Sequence, residues 1–229
     1  MNEKPIIILD VDETLIFTKH VKEDTDLFLT SFNIKNIEYY IYKRPFLIEF
    51  LININNYFDI YIYSLGTFNY IEKILETISN ILGFYPFKKV IANYPNNLFY
   101  TKTLDILDID LDRTIIIDDR VDVWLDNLNN LYNIKRYTEI FQLKDRDDLF
   151  FNILQNYKKT DDIIYYDNNY VNLYDEFVND KILTEDNELY KLNEIINKYF
   201  QLYEKFDIDE FKNIIYRINY ELIMKVINL

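Results

Sequence analysis

The sequence predicts an α/β fold: a Rossmann-like layer with a central, mostly parallel sheet, followed by an α-helical C-terminal segment. Three observations predict it. Apolar runs of strand length alternate with stretches of helical spacing through about residue 140. Three of those runs end in polar or acidic groups: Asp10 and Asp12, then Ser64, then Asp118 and Asp119. Parallel sheets bind ligands beyond the carboxyl ends of their strands, so such endings mark a candidate site. After about Phe141 the pattern changes to long amphipathic stripes.

Each element has its own reason. Residues 5–10 form an apolar run of strand length. The stretch IEYYIYK reads as a strand through Ile41, Lys43-Arg44-Pro45 as a turn, and the residues after that proline as a helix through Leu51. Phe58 to Ser64 is a second β-rich run. Tyr70, Ile71, Ile74, Leu75 and Ile78 then recur at helical spacing. KKVIA is a short strand, RTIIIDD the clearest buried strand, and YNIKRYT a last edge strand. A weak helix is expected near Asp148–Tyr157. Leu189, Leu192, Ile195, Ile196, Tyr199, Phe200 and Tyr203 share one helical face. Ile208, Phe211, Ile214, Ile215, Ile218, Leu222, Ile223 and Val226 share another, and core packing is the better reading of both stripes. The expected organisation is a domain over 1–145 and a mainly helical segment over 146–229 that packs on it or on a partner.

Composition narrows the function. Hydrophobic residues make up 49% of the 229, enough for a core. The formal charge of −14 divides evenly, −7 in residues 1–140 and −7 in 141–229, with no basic stripe. Nucleic-acid binding therefore lacks its electrostatic footprint. The absence of cysteine excludes thiolate zinc sites and cysteine nucleophiles, and a single histidine, His20, excludes histidine-rich metal sites and Ser-His-Asp triads. His20 reads as a surface residue. Gly (2) and Pro (4) are scarce while Ile, Asn, Lys, Tyr and Phe abound, a codon bias of an AT-rich genome that suggests a viral, plasmid or parasite source. No signal peptide or membrane span is expected, so the protein reads as intracellular.

The acids after the first strand carry the chemistry. In DVDETL, Asp10 is placed as a nucleophile toward phosphorus. Asp12, one alternation further, is placed to protonate the leaving oxygen and later to take a proton from water. Thr14 can hold the turn. A phosphate dianion beside a carboxylate needs a cation, and an oxygen-only ligand set selects Mg2+. Asp118 and Asp119 supply further oxygens, Ser64 a hydroxyl for a phosphate oxygen, and Lys102 a positive charge.

With those residues in order, the sequence resembles the haloacid-dehalogenase superfamily of phosphohydrolases. Within it, DVDETL, KRPFLIEFL, IYIYSLGTFNYIEKIL and IIIDDRVDVW resemble the TFIIF-associating phosphatases of the RNA polymerase II C-terminal domain (CTD). The likeness runs from Ile6 to about Phe141, and FKNIIYRI resembles the helical stretch that follows the catalytic domain there. It implies Asp10 as nucleophile and metal ligand, and Asp12 as acid/base whose carbonyl also meets the metal. Thr14 would support the loop, and Ser64 and Lys102 would hold phosphate. Asp119 would ligate Mg2+ directly, with Asp118 beside it through water or Lys102, and Arg120 would contact substrate or loop. Ser64 stands where the subgroup usually has Thr, Phe46 where it has Gly, and Val121 where it has an acid. VIANYPNN lacks a basic substrate contact common there, and the BRCT module that would follow is not in the sequence.

The expectation is a Mg2+-dependent protein serine/threonine phosphatase acting on the polymerase tail or a similar phosphoprotein, in the nucleus, or in cytoplasm if viral or plasmid-borne. Two rivals stand beside it: a phosphatase for a small molecule or nucleic-acid end, and an interaction subunit docking on a transcription complex through its C-terminal helices. Elsewhere, Trp124 is expected as the buried anchor of a helix after the Asp-Asp strand. Lys43-Arg44 reads as a groove wall or solvated turn, and Lys135-Arg136 as a surface pair unless the fold brings it near the acids.

Overall fold

A computed structural model describes residues 4–138, 186–203 and 205–214. In chain order it contains β1 (Ile6–Leu9), β2 (Ile16–Lys19), β3 (Phe28–Ile34), β4 (Ile37–Lys43), α1 (Leu47–Tyr57), β5 (Asp59–Thr67), α2 (Phe68–Leu82), β6 (Phe87–Asn93), β7 (Thr114–Asp118), β8 (Leu131–Asn133) and α3 (Glu188–Leu202). Five strands form one sheet in the order β6-β5-β1-β7-β8, and every neighbouring pair is parallel. This is the α/β architecture the sequence predicts, with β1 in the middle and β8 on the edge.

β1 is buried on both faces, as parallel strands covered by helices are. Ile7 and Leu9 join Ile60, Ile62, Ile115 and Ile117 in a core with α1, α2 and α3. The alternating partner Ile8 lies on the other face with Tyr63, Ile116, Leu104 and Trp124. The C-terminal stripe Leu189, Leu192, Ile195, Ile196 and Tyr199 is buried in the first of these cores, as are Phe206, Ile208, Phe211 and Ile214. These residues of the C-terminal segment are therefore covered by the protein's own α/β layer. The 145/146 boundary, the weak helix near Asp148–Tyr157 and the stripe beyond Ile214 lie outside the described residues.

Three features differ from the sequence reading. A second, antiparallel sheet in the order β2-β4-β3 leaves the chain directly after the DVDETL turn. Its hairpin turns on Lys35 and Asn36, both at positive φ (48° and 66°), a two-residue loop whose twist matches the strands. The stretch after the Asp-Asp strand is a 3-10 helix, Leu125–Asn130, bent at Asn127, rather than an α-helix. Finally, Arg44 is not in a solvated turn or groove wall. It is fully buried, for reasons that belong to the site. Among the described residues no helix is long and apolar enough to cross a membrane.

Candidate active site

Parallel register brings the acids together. Leu9 of β1 lies opposite Ile62 of β5 and Ile117 of β7, so β1 and β7 end at one edge of the sheet while β5 runs on past them to Thr67. Asp10 N donates to Ile117 O at 3.0 Å, which sets Asp10 level with Asp118. Beyond it the chain turns sharply: Leu15 N and Ile16 N both donate to Val11 O, at 2.9 and 3.1 Å, and Glu13 takes a left-handed φ of 62°. Asp10, Asp118 and Asp119 each offer a carboxylate oxygen, and these oxygens lie within 4.8 Å of one another.

Lys102 enters this acidic group from the 3-10 side of the sheet. Its backbone N donates to Val123 O at 2.7 Å, and its Nζ donates to Asp10 Oδ1 at 2.6 Å and to Asp118 Oδ2 at 2.5 Å. The ammonium lies 5.6 Å from the Trp124 ring and 5.9 Å from that of Tyr63, so it is dry as well as paired. Burial alone would pull its pKa down, but Asp10 and Asp118 outweigh burial and raise it. Asp118 also accepts from Trp124 Nε1 at 2.7 Å and from Arg120 N at 2.8 Å, so both its oxygens are committed to donors. Trp124 is thus the expected buried anchor and, in addition, a partner of the acids.

Asp10 shows an excess of negative charge. Burial first, then the neighbouring Asp118, lifts its carboxyl well above the usual range despite Lys102. Asp119 is raised by burial and by Asp118 in the same way, with Arg136 opposing. Three hard oxygen donors in a pocket with surplus negative charge fit a small divalent cation such as Mg2+. Asp10, Asp118 and Asp119 are the carboxylates that could hold it.

Asp12 stands apart from the three-carboxylate group. Its Oδ1 accepts from the Tyr70 hydroxyl at 2.5 Å, and that hydroxyl lies 2.7 Å from Thr18 Oγ1 on β2. Burial pushes the Asp12 carboxyl up to about 6, while the Tyr70 hydrogen bond pulls it down. The Tyr70 hydroxyl is raised by burial and by the Asp12 charge. Tyr70 is held by rings of the second sheet, with Tyr39 at 5.6 Å and Phe32 at 6.0 Å between centroids. Sequence periodicity assigned Tyr70 to the helix core. Only the unforeseen second sheet shows that its hydroxyl reaches an acid.

Thr14 is buried and serves Asp119 twice, donating Oγ1 to Asp119 Oδ1 at 3.2 Å and accepting from Asp119 N at 3.2 Å. Arg136 Nε grips the same carboxylate, 2.6 Å from Asp119 Oδ2, and lies 3.1 Å from Glu13 Oε2. Of the Lys135-Arg136 pair, Lys135 is exposed as a surface residue, while Arg136 is the one the fold brings to the acidic centre. Ser64 lies two residues beyond Ile62, at the same sheet edge, and is buried. Its Oγ accepts from Gly66 N at 3.0 Å, and a Cβ at residue 66 would come within 3.2 Å of that oxygen, so glycine there keeps the hydroxyl uncrowded. Arg120 turns its guanidinium to Asp122, at 3.1 and 2.5 Å, so only its backbone N meets the acids.

The NLI interacting factor-like phosphatase family matches residues 5–171. The chain belongs to that family. A similar family relative is the RNA polymerase II C-terminal domain phosphatase of Encephalitozoon cuniculi, 31% identical over 138 residues. That match covers 60% of this chain and 33% of the relative, so the chain spans only a third of that relative's length. Among solved structures, the essential CTD phosphatase Fcp1 superposes with a TM-score of 0.60 at 21% identity, covering 87% of this chain and 63% of that one. A fission yeast Fcp1 variant bound to beryllium fluoride gives 0.58 at 20% identity, covering 90% and 68%. At these identities the structural likeness carries the fold, and this family member has the haloacid-dehalogenase-like fold its motifs imply.

Proposed function

We propose that this chain is a Mg2+-dependent protein serine/threonine phosphatase working through an aspartyl-phosphate on Asp10, with the polymerase tail or a similar phosphoprotein as substrate. One observation carries the reading: Lys102 Nζ bridges Asp10 and Asp118 within the three-carboxylate cluster at the sheet edge. The substrate class rests on the family and on the name of the Encephalitozoon relative. A polymerase substrate would place the work in the nucleus.

Asp10 attacks phosphorus, and the serine or threonine oxygen departs with a proton from Asp12. Water then gives its proton to Asp12 and attacks the acyl phosphate, releasing Asp10 and inorganic phosphate. Lys102 and the Ser64 hydroxyl face the charge that builds on the phosphoryl oxygens. Asp10 and Asp119 would hold Mg2+, which supplies positive charge against the repulsion between a carboxylate and a phosphate dianion. Tyr70 fixes the Asp12 carboxyl, and Thr14 with Arg136 fixes Asp119.

The test is turnover of p-nitrophenyl phosphate and of phosphoserine peptides by wild type and Asp10→Asn with Mg2+ present. Activity in wild type alone is expected. Equal inactivity of both proteins would remove the enzyme reading. Preference for p-nitrophenyl phosphate or a polynucleotide 3′-phosphate over every phosphopeptide would retain the chemistry and change the substrate.

A further inference from the structure

Among the described residues, Arg44 is a fully buried cation with no place in the phosphoryl chemistry. Its guanidinium is fully buried and joins three distant stretches. Nη1 donates to Thr14 O at 2.9 Å, Nη2 to Lys135 O at 2.6 Å, and Nε and Nη2 make a two-pronged pair with Asp186 at 2.9 and 2.8 Å. The plane lies over the Tyr137 ring, 5.3 Å from its centroid. Asp186 stands just before α3, where its Oδ1 also accepts from Glu188 N at 3.2 Å.

The two carbonyls are the significant partners. Thr14 and Arg136, the residue after Lys135, are the two side chains that grip Asp119. The same layer is cross-tied by Tyr137 N to Glu13 O at 2.7 Å and by Arg44 N to Leu15 O at 2.9 Å. A guanidinium is a rigid planar fork, so fixing its Nε–Nη2 edge on one carboxylate fixes the direction of the remaining donors.

We propose that Asp186, acting through Arg44, is a positioning residue of the catalytic centre: it sets the Thr14 and Lys135 carbonyls and thereby the grip of Thr14 and Arg136 on Asp119. The C-terminal helix, through its first turn, then belongs to the catalytic unit as a support of the Asp119 side. This rests on the proposed function for its consequence in catalysis, but the mechanical link stands on the hydrogen bonds alone.

The experiment compares the full chain with Asp186→Asn and with Leu192→Ala, a substitution in the buried face of the same helix that leaves Arg44 untouched. Amide hydrogen exchange is followed without any ligand, and Mg2+ binding is then titrated by the metal alone. In Asp186→Asn, exchange in peptides 11–16 and 134–137 is expected to rise by about tenfold or more, while 59–65 stays protected. Leu192→Ala is expected to lower the melting temperature without that local signature. Mg2+ affinity falls in Asp186→Asn and is unchanged in Leu192→Ala, and Asp186→Glu, which keeps the charge, recovers part of it. Unchanged exchange at 11–16 and 134–137, or an equal rise in Leu192→Ala, overturns the proposal. If wild type binds no Mg2+ while the exchange pattern appears as described, the metal reading is lost and the positioning link stands.

Discussion

Trp124 donates its indole Nε1–H to Asp118 Oδ2 at 2.7 Å from a fully buried ring. The same oxygen receives Lys102 Nζ, so the indole and the ammonium share one acceptor. Trp124→Phe keeps most of the ring and deletes the donor. It is expected to cost about 1–3 kcal/mol in urea unfolding, the usual loss when a buried charged acceptor loses a partner.

Lys102→Met leaves Asp10 and Asp118 facing each other without the ammonium between them. Turnover is expected to fall by at least about a hundredfold, in the range of losing one electrostatic stabiliser of phosphoryl charge. Stability is expected to drop by about 3–5 kcal/mol, because a broken buried pair leaves an uncompensated charge. Steady-state kinetics and chemical denaturation read the two effects separately.

Addition of Mg2+ is expected to raise the melting temperature, since a ligand at a hundred times its dissociation constant stabilises by about 2.7 kcal/mol. Chelation by EDTA is expected to abolish turnover. In Asp119→Asn the thermal response to Mg2+ is expected to shrink or vanish while the fold is retained.

Tyr70→Phe removes the hydroxyl that holds Asp12 without altering ring packing against Tyr39 and Phe32. The expected result is a kcat about tenfold lower with KM little changed, a fraction of what a positioned acid contributes. An unchanged kcat would take Tyr70 out of the mechanism.

Phe46 precedes α1 at a left-handed φ of 64°, and its ring meets Tyr190 at 5.4 Å. Phe46→Ala loses the ring contact and keeps the strained backbone. Phe46→Gly loses the same contact and relieves the strain, so glycine is expected to be more stable than alanine here by about 1 kcal/mol, the reverse of their order inside a helix. Urea unfolding of the two variants decides the sign.

The parallel sheet and its acidic edge were legible because β1 and β7 are unbroken apolar runs that stop at carboxylates. Asp10, Asp118 and Lys102 meet through register and the Lys102–Val123 backbone bond, and their types and order already suggested it. The second sheet was not legible: β2 has four residues, and the β3–β4 hairpin turns on Lys35-Asn36 instead of a glycine pair. Tyr70 was hidden for the same reason, since nothing in a helical stripe tells which ring also carries a working hydroxyl. Arg44, Arg136 and Asp186 were illegible in another way. Their roles depend on contacts across 91 and 142 residues of chain, and a cation beside proline or lysine looks like any surface turn.

Because Lys135 and Asp186 both end on the guanidinium of Arg44, the chain between them departs from and returns to a single point. One side chain thus serves as a common junction for the turn after β1, the stretch after β8 and the entry to α3, and its loss would be felt at all three at once.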